Sequence, residues 1–198
     1  MDHKILTVKV LLLILGIFLG ETILRLVKFF ARGQCETKAP AWVYALVNAM
    51  LYAGIICLQE FGIRSMLYCI VVTMLLVLAV IDWKICEIPN GLIVWLMLAA
   101  VVQTVADWPD IREHLTGFVL MGIPLTILFY LTKGKSLGGG DVKLMAVIGL
   151  LMGWEDALMS LFVGCILALG FQVVRREKRM LAFGPYLAAG IILIMLGG

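Results

Sequence analysis

Apolar runs alternate with short polar breaks along nearly the whole chain. A helix that crosses a bilayer needs about 20 mainly apolar residues to cover roughly 30 Å of hydrocarbon. Runs at approximately 5–27, 41–58, 65–82, 90–106, 115–132, 141–153, 157–174 and 181–197 meet or approach that requirement. The pattern predicts an all-α polytopic membrane protein, a bundle of about eight transmembrane helices in one domain over 1–198. The first run continues into Glu21 and Arg25 without a small-residue cleavage site, so it is read as a retained helix (5–27) rather than a signal peptide, followed by a short loop (28–40).

Composition sharpens this. Of 198 residues, 63% are hydrophobic and 15% charged, and the mean hydropathy is +1.09. Soluble domains carry about 45–50% apolar and about 25% charged residues. A soluble chain with these figures would lack polar surface to show to water. Disorder, collagen and nucleic-acid binding are excluded on the same grounds.

The placement of Lys and Arg then sets orientation. The loops near 28–40, 83–89, 133–140 and 175–180, with their adjoining helix ends, collect 12 of the 16 basic residues, against Lys4, Lys9, Arg64 and Arg112 on the other side. Those four loops are expected in the cytoplasm and both termini outside. Lys4 and Lys9 run against this assignment.

Acids in or beside spanning helices are costly and mark function by default. Glu21 has a structural explanation, because Arg25 lies one turn later on the same face. Asp82 ends the apolar run 71–81, and Asp141 follows Leu137-Gly138-Gly139-Gly140. They are 59 positions apart in sequence, yet both fall at cytoplasmic helix ends. Two acids at the same depth of one bundle are the raw material of a carboxylate dyad. Like-charge repulsion keeps one protonated while the other is ionised. The ionised member can take a proton from water, and the other can polarise a carbonyl. Three glycines would let backbone, water and an extended ligand approach Asp141 closely, and should keep the chain non-helical just before it. The plainer alternatives are that Asp141 caps a helix and that Asp82 is an ordinary interfacial acid. The helix from Asp141 to Gly153 spans about 20 Å at about 1.5 Å per residue, short of the hydrocarbon thickness, which would set Asp141 below the cytoplasmic surface.

Other features point to little chemistry. Cysteines at 35, 57, 69, 86 and 165 form no CxxC pair, and His3 and His114 lie in polar flanks, so no metal site is expected. Gly134-Lys135-Ser136 lacks the preceding glycine of a phosphate loop, since Phe129 stands there. Lys143, two residues after Asp141, should face elsewhere and reach toward lipid headgroups. The run 175–179 reads as an anchor for anionic lipid, and the eleven methionines as packing residues.

The combination resembles the type IV prepilin peptidases, membrane aspartic proteases of the GxGD kind. The resemblance rests on Ile81-Asp82 with Ile88-Pro89-Asn90, on Gly138-Gly139-Gly140-Asp141-Val142-Lys143-Leu144-Met145-Ala146, and on Phe183-Gly184-Pro185-Tyr186-Leu187-Ala188. It covers about 65–198, which would be the catalytic core. Presenilin-like and signal-peptide-peptidase-like enzymes share the GxGD motif but carry Pro-Ala-Leu where this chain has Phe183-Gly184-Pro185. The resemblance implies Asp82 and Asp141 as the catalytic pair, with Gly138, Gly139, Gly140, Lys143, Pro89 and Asn90 shaping the site.

It further implies cleavage of prepilin or pseudopilin precursors at the cytoplasmic face of the bacterial inner membrane, after a glycine ending a short basic leader. Bifunctional members resemble one another in Gly-Ser-Phe-Leu-Asn-Val-Val-Ile-x-Arg and in a domain with two CxxC pairs. Here Gly16, Phe18, Leu19, Ile23 and Arg25 are kept, while Ile17 and Gly20 replace the serine and asparagine, and the loop 28–40 holds only Cys35. This is the pattern of a short form lacking the cysteine-rich zinc domain. The expectation is a peptidase with no cofactor for proteolysis, S-adenosylmethionine being required only if N-methyl transfer is retained. Expected partners are the precursor and membrane lipid, not nucleic acid. The rival readings are a proton- or cation-coupled transporter and a GxGD protease for another precursor, such as preflagellin.

Overall fold

The computed structural model describes residues 3–31, 40–60, 62–134, 137–175 and 182–197. Eight α-helices follow in order: α1 (His3–Phe30), α2 (Ala41–Leu58), α3 (Ile63–Ile85), α4 (Asn90–Ala106), α5 (Ile111–Leu131), α6 (Gly139–Met152), α7 (Trp154–Arg175) and α8 (Gly184–Gly197). A 3-10 turn, Trp108–Asp110, precedes α5, and no strand occurs among the described residues. The chain is thus an all-α polytopic membrane protein.

The eight apolar runs correspond one to one with these helices, with ends displaced by a few residues. Among the described residues, four segments are long and apolar enough to span alone: Ala41–Leu58, Ile63–Ile85, Trp108–Leu131 and Trp154–Val174. The first helix is bent by 51° between Lys9–Leu19 and Thr22–Phe30. The others, α4, α6 and α8, are short, at 17, 14 and 14 residues.

Burial sorts these helices into layers. In the most apolar window of α3, 61% of residues are buried, against 17–22% in the corresponding windows of α2, α5 and α7. The third helix is therefore the central one, packed by α1, α2, α4 and α8. The sixth is the second core helix, enclosed by α4, α5 and α7, with Leu144, Met145, Ile148 and Leu151 almost fully covered. Large apolar side chains such as Phe18, Trp95, Ile123 and Phe162 face outward. A lipid-facing surface tolerates them, since it carries no penalty for apolar exposure.

Several polar side chains inside the bundle pair with one another or with backbone carbonyls. The Asn48 amide donates to the Gly16 carbonyl (3.1 Å), Thr73 Oγ1 donates to Asn48 Oδ1 (3.1 Å), and Tyr52 Oη meets Thr73 Oγ1 at 2.9 Å. This chain of contacts links α1, α2 and α3. The Lys9 ammonium donates to the Ile56 carbonyl at 3.1 Å, in the last turn of α2. A cation at that negative dipole end is favourable, and the contact gives Lys9 a local reason to sit against the overall charge bias. At the same end of the bundle, Thr104 Oγ1 donates to Leu150 O and the His114 ring meets the same carbonyl at 2.8 Å. Arg64 reaches Asp156 at 4.0 Å.

Candidate functional site

Asp82 lies in the last turn of α3. That helix stops because Cys86 adopts a left-handed conformation (φ 55°, ψ 33°), its N–H still bonded to the Asp82 carbonyl. Pro89, with φ −64°, then serves as the N-cap residue of α4, so the α3–α4 connection is only Cys86 to Pro89. A proline disfavours helix in the residue before it, which keeps Ile88 out of either helix. The short loop is held at the mouth of the bundle beside Asp82.

The carboxylate of Asp82 is nearly buried (5% exposed) and accepts the backbone N–H of Gly184 at 2.8 Å. Gly184 is the first residue of α8, where backbone donors have no partner within the helix. The acid on α3 therefore caps α8 from across the bundle. A Cβ on Gly184 would lie 2.7 Å from Asp82 Oδ2, so no larger residue fits without moving the carboxylate. Nearby, Phe171 of α7 meets Trp83 of α3 edge to face and Tyr186 of α8 at a tilt, with centroids 5.9 and 5.4 Å apart.

Asp141 is the third residue of α6 and is also buried (7% exposed). Its carboxylate lies against Gly138, and the charge of Asp82 bears on it. Asp141 Oδ1 is shielded and has no hydrogen-bond partner among the described residues. The expectation of non-helical glycines is corrected here. Only Gly138 is extended (φ −72°, ψ 143°), and Gly139 and Gly140 form the first residues of α6. Asp141 is not the N-cap either, since Gly138 holds that position and the acid reaches back to it from the first turn. Close approach is nevertheless what the glycines provide. A Cβ on Gly140 would stand 2.8 Å from Ile88 Cβ, so the start of α6 touches the α3–α4 loop directly.

The two acids converge on one cavity of about 270 Å³, lined by Asp82, Cys86, Glu87, Ile88, Asn90, Gly138, Gly139, Gly140, Asp141 and Lys143. Pro89 lies outside its lining and faces a neighbouring cavity instead. Lys143 departs from the expectation of a lipid-facing lysine. Its ammonium donates to Asn90 Oδ1 at 3.0 Å, tying α6 to α4 across the cavity rim. A long, flexible stem at the start of a helix reaches beyond its own face, which the two-residue offset from Asp141 did not capture. Sequence reasoning also missed Cys86, Glu87 and Ile88 as lining residues and the Gly184 N–H as partner of Asp82. The last was signalled only by the glycine in Phe183-Gly184-Pro185.

Among the described residues no group of three His, Cys, Asp or Glu side chains is placed to hold a metal. The Glu21–Arg25 pairing, Cys35, Ser136 and the basic run after α7 lie outside the described side chains.

A helical membrane bundle with a paired-carboxylate cavity at one end is the class defined by fold and site. The chain belongs to the Type IV leader peptidase family, whose profile matches residues 69–173 and so includes both acids. It is 29% identical over 175 residues to the prepilin leader peptidase/N-methyltransferase of Pectobacterium carotovorum subsp. carotovorum, covering 80% of this chain and 62% of that protein. The protein of the same name from Dickeya chrysanthemi is 27% identical over 84% of this chain and 65% of its own length. That from Bacillus subtilis is 30% identical over 85% of this chain and 73% of its own. The chain thus spans slightly under two thirds of the first two relatives. No solved structure matches it.

Proposed function

We propose that this protein is an aspartic endopeptidase that removes the leader from type IV prepilins or pseudopilins at the cytoplasmic face of the bacterial inner membrane, with Asp82 and Asp141 as the catalytic pair. The observation that carries the reading is the convergence of these two acids, 59 positions apart, on one cavity. Family membership and the names of the relatives supply the substrate class. The positive-inside bias supplies the side of the membrane.

In this mechanism one carboxylate takes a proton from water as it attacks the scissile carbonyl, and the other donates a proton or hydrogen bond to the carbonyl oxygen. Proton positions belong to the pair as a unit. Asp82 is oriented by the Gly184 amide, while Asp141 Oδ1 has no hydrogen-bond partner among the described residues. The peptide bond breaks with water as the nucleophile and without a covalent intermediate. Gly138, Gly139 and Gly140 line the cavity beside Asp141, and the Lys143–Asn90 bond braces its rim. We read the activity as proteolysis alone, because the chain carries no CxxC pair.

The test is mass spectrometry of a purified prepilin after incubation with the protein, with and without S-adenosylmethionine. Loss of the leader in both samples, with no added methyl group, is the expected result. An uncut precursor would refute the peptidase reading, and a methylated product would refute the restriction to proteolysis.

A further inference from the structure

The end of the bundle away from the two acids carries a cavity of its own. The close of α2, the start of α3 and the close of α4 enclose about 510 Å³ there, with Leu58, Glu60, Ile63, Arg64 and Asp107 in its lining. Along α3, Arg64 and Asp82 are 18 residues apart (82 − 64), or about 27 Å at about 1.5 Å per residue. That is close to the hydrocarbon thickness of a bilayer, about 30 Å, so the cavity lies at the membrane surface opposite Asp82. Leu58 and Ile63 are exposed, as is Trp108 just beyond Asp107, and indole rings settle at the depth of the headgroups.

The charges of this cavity are mixed and only partly answered. Arg64 donates from Nε to the Tyr68 hydroxyl at 3.0 Å, and its Nη2 stands 4.0 Å from Asp156, beyond hydrogen-bond length, so the guanidinium keeps donors to give. Asp107 accepts from Gln103, with His114 Nε2 3.7 Å away. Glu60 is exposed and forms no ion pair with another described residue.

One cation, two acids and apolar side chains in one lining select the ligand. An anionic headgroup would satisfy Arg64 but meet both carboxylates. A simple cation would pair with the acids and face Arg64. A phosphate ester of ethanolamine answers both: its phosphate oxygens accept from the guanidinium, and its ammonium has three N–H donors for Glu60 and Asp107. Choline bears the same charge without an N–H to donate.

We propose that this cavity binds the headgroup of an ethanolamine phospholipid, with Arg64 on the phosphate and Glu60 and Asp107 on the ammonium. The lipid, rather than free phosphoethanolamine, is the ligand because the exposed Leu58 and Ile63 give acyl chains an apolar surface beside the charges. The site lies about a bilayer's width from the two acids and does not depend on the peptidase reading.

The test is native mass spectrometry of the full-length protein in detergent, titrated with equimolar mixtures of dioleoyl phosphatidylethanolamine, phosphatidylcholine and phosphatidylglycerol. The ratio of bound lipids is read within one sample, so loss of some folded protein does not alter it. The ethanolamine lipid should bind about tenfold more tightly than either of the others, the gain expected of two partly exposed charge-assisted contacts. Glu60→Gln should cut that preference about threefold, and Glu60→Gln combined with Asp107→Asn should abolish it. Glu60→Lys should turn the preference toward phosphatidylglycerol, and Arg64→Gln should weaken the ethanolamine and choline lipids alike. Equal retention of the three lipids, retention of none, or a preference that survives the double variant and Glu60→Lys would overturn the proposal. Phosphoethanolamine added at the concentration of the lipid should leave the bound lipid in place. Its displacement of the lipid would mark a site for a soluble ligand and overturn the proposal as well.

Discussion

Two side chains and one amide account for most of the proposed chemistry at the residue scale. Asp82→Asn or Asp141→Asn keeps the shape and removes one member of the proposed proton-transfer pair. Each should lower prepilin cleavage by at least about 100-fold with the melting temperature little changed, measured by gel shift of a co-expressed precursor and by thermal unfolding in detergent. A subtler probe is Gly184→Ala. Its new Cβ would sit 2.7 Å from Asp82 Oδ2 and push the carboxylate aside. Because displacements of about 1 Å can cost about 100-fold, kcat should fall steeply while KM moves little. Unchanged turnover would show that the Gly184 contact does not orient the acid. Both carboxylates were legible in the sequence, since an acid at the end of an apolar run has few structural excuses. The donor to Asp82 was not, because the contact joins positions 102 residues apart and a backbone N–H leaves no signature in composition.

Short glycine contacts decide how the helices meet at the element scale. A Cβ on Gly117 of α5 would fall against the Gly149 carbonyl of α6, and one on Gly149 against the Gly117 carbonyl. Small residues let backbones touch in this way inside membranes. Gly149→Val should force α5 and α6 apart and cost at least about 1–3 kcal/mol, read as a lower melting temperature and faster proteolysis. The Lys143–Asn90 bond is the second element-scale link, between α6 and α4. Lys143→Met and Asn90→Ala should each reduce activity a few-fold, and the double variant should lose little more than either single one, the non-additivity expected of a shared contact. Additive losses would place the two residues in separate roles. Hydropathy made the helices readable to within a few residues. It left open which of them lie at the centre and how α6 begins, because packing order and crossing points depend on the shape of each face rather than its mean polarity.

The whole molecule places its two-acid cavity and the adjoining larger one at one end of the bundle, and the Arg64, Asp107, His114 and Asp156 groups toward the other. The orientation proposed above puts the cavity end in the cytoplasm. A variant retaining Cys86 as its one cysteine should therefore react with a membrane-impermeant maleimide in inside-out vesicles and not in intact spheroplasts, whereas a cysteine introduced at Asp110 should show the opposite pattern. Labelling of Cys86 from outside would invert the topology and the proposed site of cleavage with it. The tie between Asp82 and α8 also bears on how the proposed activity would be acquired. A nascent polypeptide that has emerged only as far as α7 already holds both acids, yet the first still lacks the amide that aims it. On the proposed function, hydrolytic competence would thus arrive late in biosynthesis, when α8 docks, and the newborn chain would stay harmless while its own helices are still being threaded into the bilayer.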